Sequence, residues 1–222
     1  MQRLAVVSGV VALLALGISA APVMAAEIVG NGGFEVAGVG GATDSAMWNE
    51  GAGAGAVSQR DSTFPEFGAW DHRIYAGSPA SSASVTQNSV ADVGLVSLQP
   101  GSSLNLSFDA RFNPGPGGVM IFTLRILNGV GGIVQDTGFA TIAGSTGGAY
   151  QTFTRGPLTV PAFGAAPNDV YAAFVEIAVN SAAFAGSTSE AFLDNVHVSG
   201  TLTPEPASLA LLGLAGLMLR RR

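Results

Sequence analysis

Residues 103–112 read Ser-Leu-Asn-Leu-Ser-Phe-Asp-Ala-Arg-Phe, so that Leu104, Leu106, Phe108, Ala110 and Phe112 fall on one side and Asn105, Ser107, Asp109 and Arg111 on the other. A period of two belongs to an extended chain with one face buried, because successive side chains of a strand point to opposite faces. Similar segments follow at 119–127, 133–142, 150–160, 170–179 and 191–198. Shorter ones precede at 73–75, 82–87 and 91–98, and each is closed by Gly, Pro, Asn or Asp. Nothing between them carries the 3.6-residue repeat of a long amphipathic helix. Many short strands with turn signals and no helical intervals leave an antiparallel sandwich or barrel, and the spacing predicts about eight to ten strands in two sheets. The Gly-Ala alternation at 51–56 is one short copy, which reads as a flexible loop and not as a silk-like repeat.

The chain has 222 residues and a net charge of −6. Its nine basic residues are all arginine: Arg3, Arg60, Arg73, Arg111, Arg125, Arg155, Arg220, Arg221 and Arg222. Only five of these lie in the middle of the chain, with no basic stripe, which excludes nucleic acid as a partner because phosphate neutralisation needs clustered cations. Cysteine is absent. There is therefore no disulfide framework, thiolate nucleophile or Cys-bearing zinc site.

The two ends differ from the middle. Met1-Gln2-Arg3 is a short positive start, residues 4–18 are almost wholly apolar, and Val23-Met24-Ala25-Ala26 offers small residues for a peptidase. This three-part order predicts a secretory signal peptide over 1–26 and a mature chain starting near Ala26 or Glu27. At the other end, residues 207–219 form an apolar run that as a helix spans about 20 Å, short of a hydrocarbon core of about 30 Å. It has no polar face and stops at Arg220-Arg221-Arg222, which positive-inside placement puts at the cytoplasmic surface, and snorkelling arginines absorb part of the mismatch. Pro204-Glu205-Pro206, the apolar run and the arginine cluster, in that order at the end of a chain with a signal peptide, resemble the PEP-CTERM sorting signal of exported bacterial proteins. That resemblance implies an exosortase-type processing enzyme acting near Pro204-Glu205-Pro206, transient anchoring in the inner membrane over 201–222, and delivery to the envelope or an extracellular polysaccharide matrix. A permanent, uncut anchor is the other reading of the same residues. The prolines keep the chain extended just above the bilayer in either case.

Between the ends, Asn31-Gly32-Gly33-Phe34-Glu35, then Trp48, Tyr75-Ala76-Gly77-Ser78, the Leu98-Gln99-Pro100-Gly101 turn and the closing Phe192-Leu193-Asp194-Asn195-Val196 are similar, in their order, to a galactose-binding-like jelly roll of the kind found in carbohydrate-binding modules. The resemblance covers most of residues 27–200. It implies an all-β jelly-roll sandwich, and a structural calcium held between the first and last strands by backbone oxygens, Glu35 and Asp194. Parity places Asp194 with Phe192, Val196 and Val198 on the inward face, where an ionised carboxylate needs a partner, and calcium takes six to eight oxygens. Without the ion, Asp194 accepts backbone hydrogen bonds and Glu35 is solvated. The resemblance also implies aromatic side chains stacking on sugar rings, for which Trp48, Phe64, Phe67, Trp70 and Tyr75 are available. Trp48 sits where such folds bury a core tryptophan, which leaves Trp70 and Tyr75 as the binding pair.

For catalysis the inventory is thin. His72 and His197 lie far apart and in no metal-binding spacing, and no Gly-x-Ser-x-Gly elbow, phosphate loop or dinucleotide fingerprint occurs. His197 reads as a solvated strand histidine. A hydrolase would have to draw on Glu66, Asp71 and His72. The sequence thus points to a non-enzymatic exported protein, structural or adhesive and associated with exopolysaccharide, with a carbohydrate-binding module of defined glycan specificity as the alternative.

Overall fold

The computed structural model describes residues 25–201 apart from 163 and 165–169. Residues 1–24 of the expected signal peptide over 1–26, and the sorting segment with Pro204, Glu205, Pro206, Arg220, Arg221 and Arg222, lie outside the described residues. Among the described residues no helix is long and apolar enough to cross a membrane. The described chain is all β: β1 Ala25–Glu27, β2 Ala37–Gly38, β3 Gly41–Ser45, β4 Asn49–Ala52, β5 Ala56–Asp61, β6 Asp71–Ala76, β7 Ser82–Asn88, β8 Ser103–Pro114, β9 Val119–Asn128, β10 Ile133–Asp136, β11 Ala140–Ile142, β12 Gln151–Thr159, β13 Tyr171–Asn180 and β14 Ser189–Thr201. These form two six-stranded sheets. The first runs β12-β8-β14-β6-β5 with β1 on β14, the second β10-β9-β13-β7-β4 with β11 on β9, and β2 and β3 make a separate ribbon. Every pairing is antiparallel.

The alternation in β8 produces what it predicts. Leu104, Leu106, Phe108, Ala110 and Phe112 are fully buried in the core between the sheets, with Leu124 and Ile126 of β9, Val175 and Ile177 of β13 and Leu193 of β14. Phe108 meets Phe122 edge-to-face at 5.0 Å, a favoured aromatic geometry. Trp48 is in the same core, 5.2 Å from Phe34, and its indole N–H donates to the Asn31 carbonyl at 3.0 Å.

Three expected elements differ. Residues 91–98 form no continuous strand, with a turn at 91–93 and a lone bridge at Leu98, because Asn88 and Asp92 turn the backbone locally. Asn88 Oδ1 accepts the amides of Val90 and Ala91, and Asp92 Oδ2 accepts that of Asn88, a competition that short polar side chains win against a ladder. The expected strand 133–142 breaks between β10 and β11, where Asp136 Oδ1 accepts the Gly138 amide and the Thr137 amide turns to the Leu124 carbonyl. The Gly-Ala stretch is no free loop: Gly51 and Ala52 end β4 and Ala56 opens β5, so it carries the chain from one sheet to the other.

The largest departure is in β14. Its register with β8 slips between Asp194 and His197, and Asn195 there takes φ 51°, a left-handed conformation that asparagine tolerates better than most residues. One extra residue inverts the alternation. Ala191 and Leu193 before the bulge face the core, as do Val196 and Val198 after it. Asp194 and Phe192 therefore point to the outer face, and the expectation that Asp194 shares the inward face with Val196 and Val198 is corrected. Asp194 is nevertheless fully buried and Phe192 nearly so, because something covers that face.

Candidate functional site

The cover is loop 62–70, which joins β5 to β6 and folds back across the outer face of the first sheet. Three groups hold it. Asp194 Oδ2 accepts the amides of Glu66 and Phe67 at 3.0 and 2.9 Å, and Asp194 Oδ1 takes the Asn195 amide at 2.7 Å. Glu35 Oε1 accepts the amides of Ala69 and Trp70 at 2.8 and 3.1 Å. A Cβ at Gly68, where φ is +72°, would lie 2.0 Å from that Oε1, so glycine is required for the loop to close on the glutamate. The Tyr150 hydroxyl reaches the Phe64 carbonyl at 2.7 Å and Asp71 Oδ2 at 3.1 Å.

The same region explains the Asn-Gly-Gly and Asp-Asn-Val motifs. The Val196 amide donates to the Gly32 carbonyl at 2.9 Å, and a Cβ on Gly32 would sit 2.0 Å from the Val196 carbonyl oxygen. The N-terminal turn thus seats on the β14 bulge. Asn31 closes the turn by accepting the Val36 amide and donating to the Val36 and Ala46 carbonyls.

Glu35 and Asp194 both flank Gly33, so the two expected calcium ligands are brought to one place. Both Asp194 oxygens and Glu35 Oε1, however, face N–H donors. The nearby carbonyls of Phe34 and Glu35 are occupied by the guanidinium of buried Arg60, at 2.5 and 2.6 Å, with the Ala42 carbonyl at 3.0 Å. Trp70 closes over that guanidinium at 3.7 Å. A chain-borne cation already sits among the carbonyls that an ion would need, and like charge repels. Among the described residues no group of three or more His, Asp and Glu converges to hold a metal. The donor set as it stands does not fit calcium.

Beneath the loop runs a row of aspartates: Asp61 opposite Asp71, and Asp194 opposite Asp109. Asp109 is satisfied by Thr152 and Asn195. Asp71 is fully buried and its Oδ1 has no partner. Burial foremost, with Asp61 and Asp194 adding to it against the Tyr150 hydrogen bond, raises the Asp71 carboxyl to about 7. Burial also raises Asp194, and it raises Glu66 with the help of Asp109 and Asp194.

His72, next to Asp71 on β6, points the other way into the core. Its Nδ1 lies 2.8 Å from Ser45 Oγ and its Nε2 3.0 Å from Ser58 Oγ, whose own proton goes to the Ser84 carbonyl. That pattern assigns the proton to Nε2, and burial lowers its pKa to about 3, so the ring stays neutral. Exposed Glu66, outward Asp71 and inward His72 do not converge on a common point. His197 is half exposed and bonds Glu27 at 2.8 Å and Asn195 at 2.5 Å.

Trp70 and Tyr75 are not brought together. Trp70, the last residue of the loop before β6, lies on Arg60, while Tyr75 lies on the outer face of β6 with Arg73 over its ring at 5.1 Å. What the outer face does build is a cleft of about 360 Å³ between Phe64 of the loop and Ser145, Gly147 and Gly148 of the loop before β12, floored by Arg111 and Asn113 of β8 and Glu190 and Phe192 of β14. Phe64 meets Phe192 edge-to-face at 4.9 Å. Arg111 lies over the Phe64 ring at 3.8 Å. Glu190 is paired with Arg73 at 2.7 Å, and Tyr75 is its neighbour in register, so the floor continues from the cleft to Tyr75. The signal for Arg111 was present in the sequence as a cation on the polar side of β8; Glu190 and Phe192 were hidden by the bulge. A larger hollow of about 510 Å³ beside the β2–β3 ribbon is lined by Asp44 and Asp92 among others, but both serve turns, through Gly40 and through Asn49 and Asn88.

No family model matches the sequence, and no curated protein matches it. Solved structures do. The enzymatically active domain of tailspike protein 4 from bacteriophage CBA120 aligns over 78% of this chain and 21% of its own, at 16% identity and a TM-score of 0.53. The MgGH51 α-L-arabinofuranosidase, solved with arabinose bound, aligns over 79% of this chain and 26% of its own, at 16% identity and a TM-score of 0.52. TmCBM61, solved in complex with β-1,4-galactotriose, aligns over 78% of this chain and 97% of its own, at 12% identity and a TM-score of 0.50. This chain therefore corresponds to about a quarter or less of the two enzymes and to nearly all of TmCBM61. At such identities the likeness is one of fold: the described domain is an antiparallel β-sandwich of the type that TmCBM61 also has.

Proposed function

We propose that residues 27–200 form a non-enzymatic glycan-binding domain, and that its ligand lies in the cleft on the outer face of the first sheet. The observation that carries this reading is the cleft itself: aromatic Phe64 on one wall, side-chain-free Gly147 and Gly148 on the other, and a polar floor of Arg111, Asn113 and Glu190 that runs on to Tyr75. A concave site with apolar walls and a few converging polar groups suits a sugar ring with its hydroxyls. The correspondence in extent with a sugar-binding module supports a binding role over a purely structural one. Soluble glycans set in a native gel should retard the protein saturably, and Tyr75→Ala and Phe64→Ala should each weaken the retardation severalfold. Trp70→Ala should lower thermal stability and leave binding per folded molecule unchanged. Equal migration on every glycan tested would refute the reading.

The domain belongs, in this proposal, to an exported protein whose Pro204-Glu205-Pro206 segment is presented to an exosortase-type enzyme at the inner membrane, with exopolysaccharide as its surroundings. Intact mass of the protein from membrane and culture fractions should show a terminus near Pro204 to Pro206. Glu205→Ala should leave the chain full-length in the membrane, and full-length wild-type protein would identify a permanent anchor instead.

A further inference from the structure

We infer that the cleft is built for an acidic glycan, one whose sugar rings carry carboxylates, and that Arg111 reads that group. The inference rests on the cleft being the glycan site.

Five arginines lie among the described residues, and four have their guanidinium N–H groups engaged within the chain. Arg60 is on three carbonyls, Arg73 on Glu190, Arg125 on Asp136 and Glu176, and Arg155 on the carbonyls of Thr137 and Gly138. Among the described residues the Arg111 guanidinium has no hydrogen-bond or ion-pair partner. It lies against the face of Phe64. A guanidinium lying over a ring keeps its in-plane N–H fork clear at the edge, and that fork matches a carboxylate in bidentate fashion.

The nearby carboxylates do not compete for it. Asp109, two residues earlier on the same face, has one oxygen on Thr152 and the other engaged by Asn195. Glu190, across the floor, is held by Arg73. Asp194 is sealed under loop 62–70. In a chain with net charge −6, the cleft floor carries Arg111 and Glu190, and the charge of Glu190 is already answered by Arg73 from beside the cleft. Leaving one guanidinium unpaired in a protein with this surplus of carboxylates suggests that its anion arrives with the ligand.

The test compares polygalacturonate with the same polymer after reduction of its carboxyl groups to hydroxymethyls, by affinity electrophoresis of the full chain and of Arg111→Met and Arg111→Lys. Expected is binding to polygalacturonate at least about tenfold tighter than to the reduced polymer, the worth of one charge-assisted bidentate contact. Arg111→Met should abolish that preference and Arg111→Lys restore only part of it, with unchanged melting temperatures confirming folded variants. Raising the salt concentration should weaken the acidic polymer alone. Equal binding to both polymers, untouched by Arg111→Met, overturns the acidic-ligand inference and leaves glycan binding standing. Binding to neither polymer, nor to a neutral galactan or xylan, overturns both.

Discussion

Arg111 and Arg125 make the contrast between the two outer faces of the sandwich concrete. Arg125, on β9 of the second sheet, lies between Asp136 at 3.1 Å and Glu176 at 3.0 Å with Phe139 against it and Phe174 of β13 opposite it in register. That face satisfies itself. On the first sheet Arg111 has an aromatic ring and no carboxylate, and two loops rise on either side of it. The same residue type is thus a closed structural pair on one face and an open donor on the other. What differs is the loop cover: 62–70 brings Phe64 over β8 only because Asp194, Glu35 and Tyr150 pull it there.

The heaviest blow to this contrast is removal of an anchor. Asp194→Ala leaves three backbone amides without their acceptor in a buried place, each such loss costing about 1 kcal/mol or more. It should destabilise by roughly 3 kcal/mol, or about 6–12 °C in Tm, and should release Phe64 so that glycan retention falls with it. A variant that melts as the wild type does would mean that the loop is held by other contacts, and the cleft would then owe nothing to the β14 bulge.

The aspartate row sharpens the contrast through pH. The folded Asp71 carboxyl sits at about 7, above its unfolded value near 3.8. The folded state therefore binds more protons in between, and this contribution is full at low pH and is lost as pH rises through about 7. His72 acts at the other end: its folded value of about 3 lies below the unfolded 6.5, so stability is also lost as pH falls from 6.5 toward 3. Asp71→Asn, which keeps an acceptor for Tyr150, should raise Tm at pH 8 by a few degrees, on the order of 1–2 kcal/mol. At pH 5 the two proteins should melt much closer together. A pH-independent difference would remove Asp71 from the account.

A smaller effect separates the arginines themselves. Arg125→Met breaks two partly exposed ion pairs and should cost about 1 kcal/mol, with glycan binding unchanged. Arg111→Met should leave Tm within about a degree and cut binding to the acidic polymer. Reversal of these outcomes would exchange the roles of the two faces.

Much of the fold is legible in the sequence because period-two alternation is a direct record of burial: β8, β9, β12, β13 and β14 begin and end within a few residues of their expected bounds. The short strands β2 to β5 carry Gly, Ala and charged residues with no alternation to read. The site is less legible for one physical reason, the bulge at Asn195. A single extra residue turns Asp194 and Phe192 outward, and no composition signal marks it beyond an Asp-Asn pair. Arg60 was equally silent, since a lone arginine in a strand with mixed neighbours gives no hint that it will be buried against three carbonyls. The separation of Trp70 from Tyr75 left no such record, because Trp70 precedes β6 and strand parity does not set the direction of a loop residue.

Calcium is the prediction with the smallest expected effect, and a shift would revise the most. A bound ion must stabilise the fold in proportion to its concentration over its dissociation constant, so melting in excess calcium and in excess chelator reports directly on the site at Glu35 and Asp194. Asp194 accepts three amides and Glu35 two, and Arg60 fills the carbonyl cage beside them; the expected difference is zero within error. A rise of several degrees in calcium would mean that these carboxylates turn from the loop amides to a metal and that Arg60 gives up the carbonyls of Phe34 and Glu35. Loop 62–70, and with it the Phe64 wall of the cleft, would then be under the control of the ion.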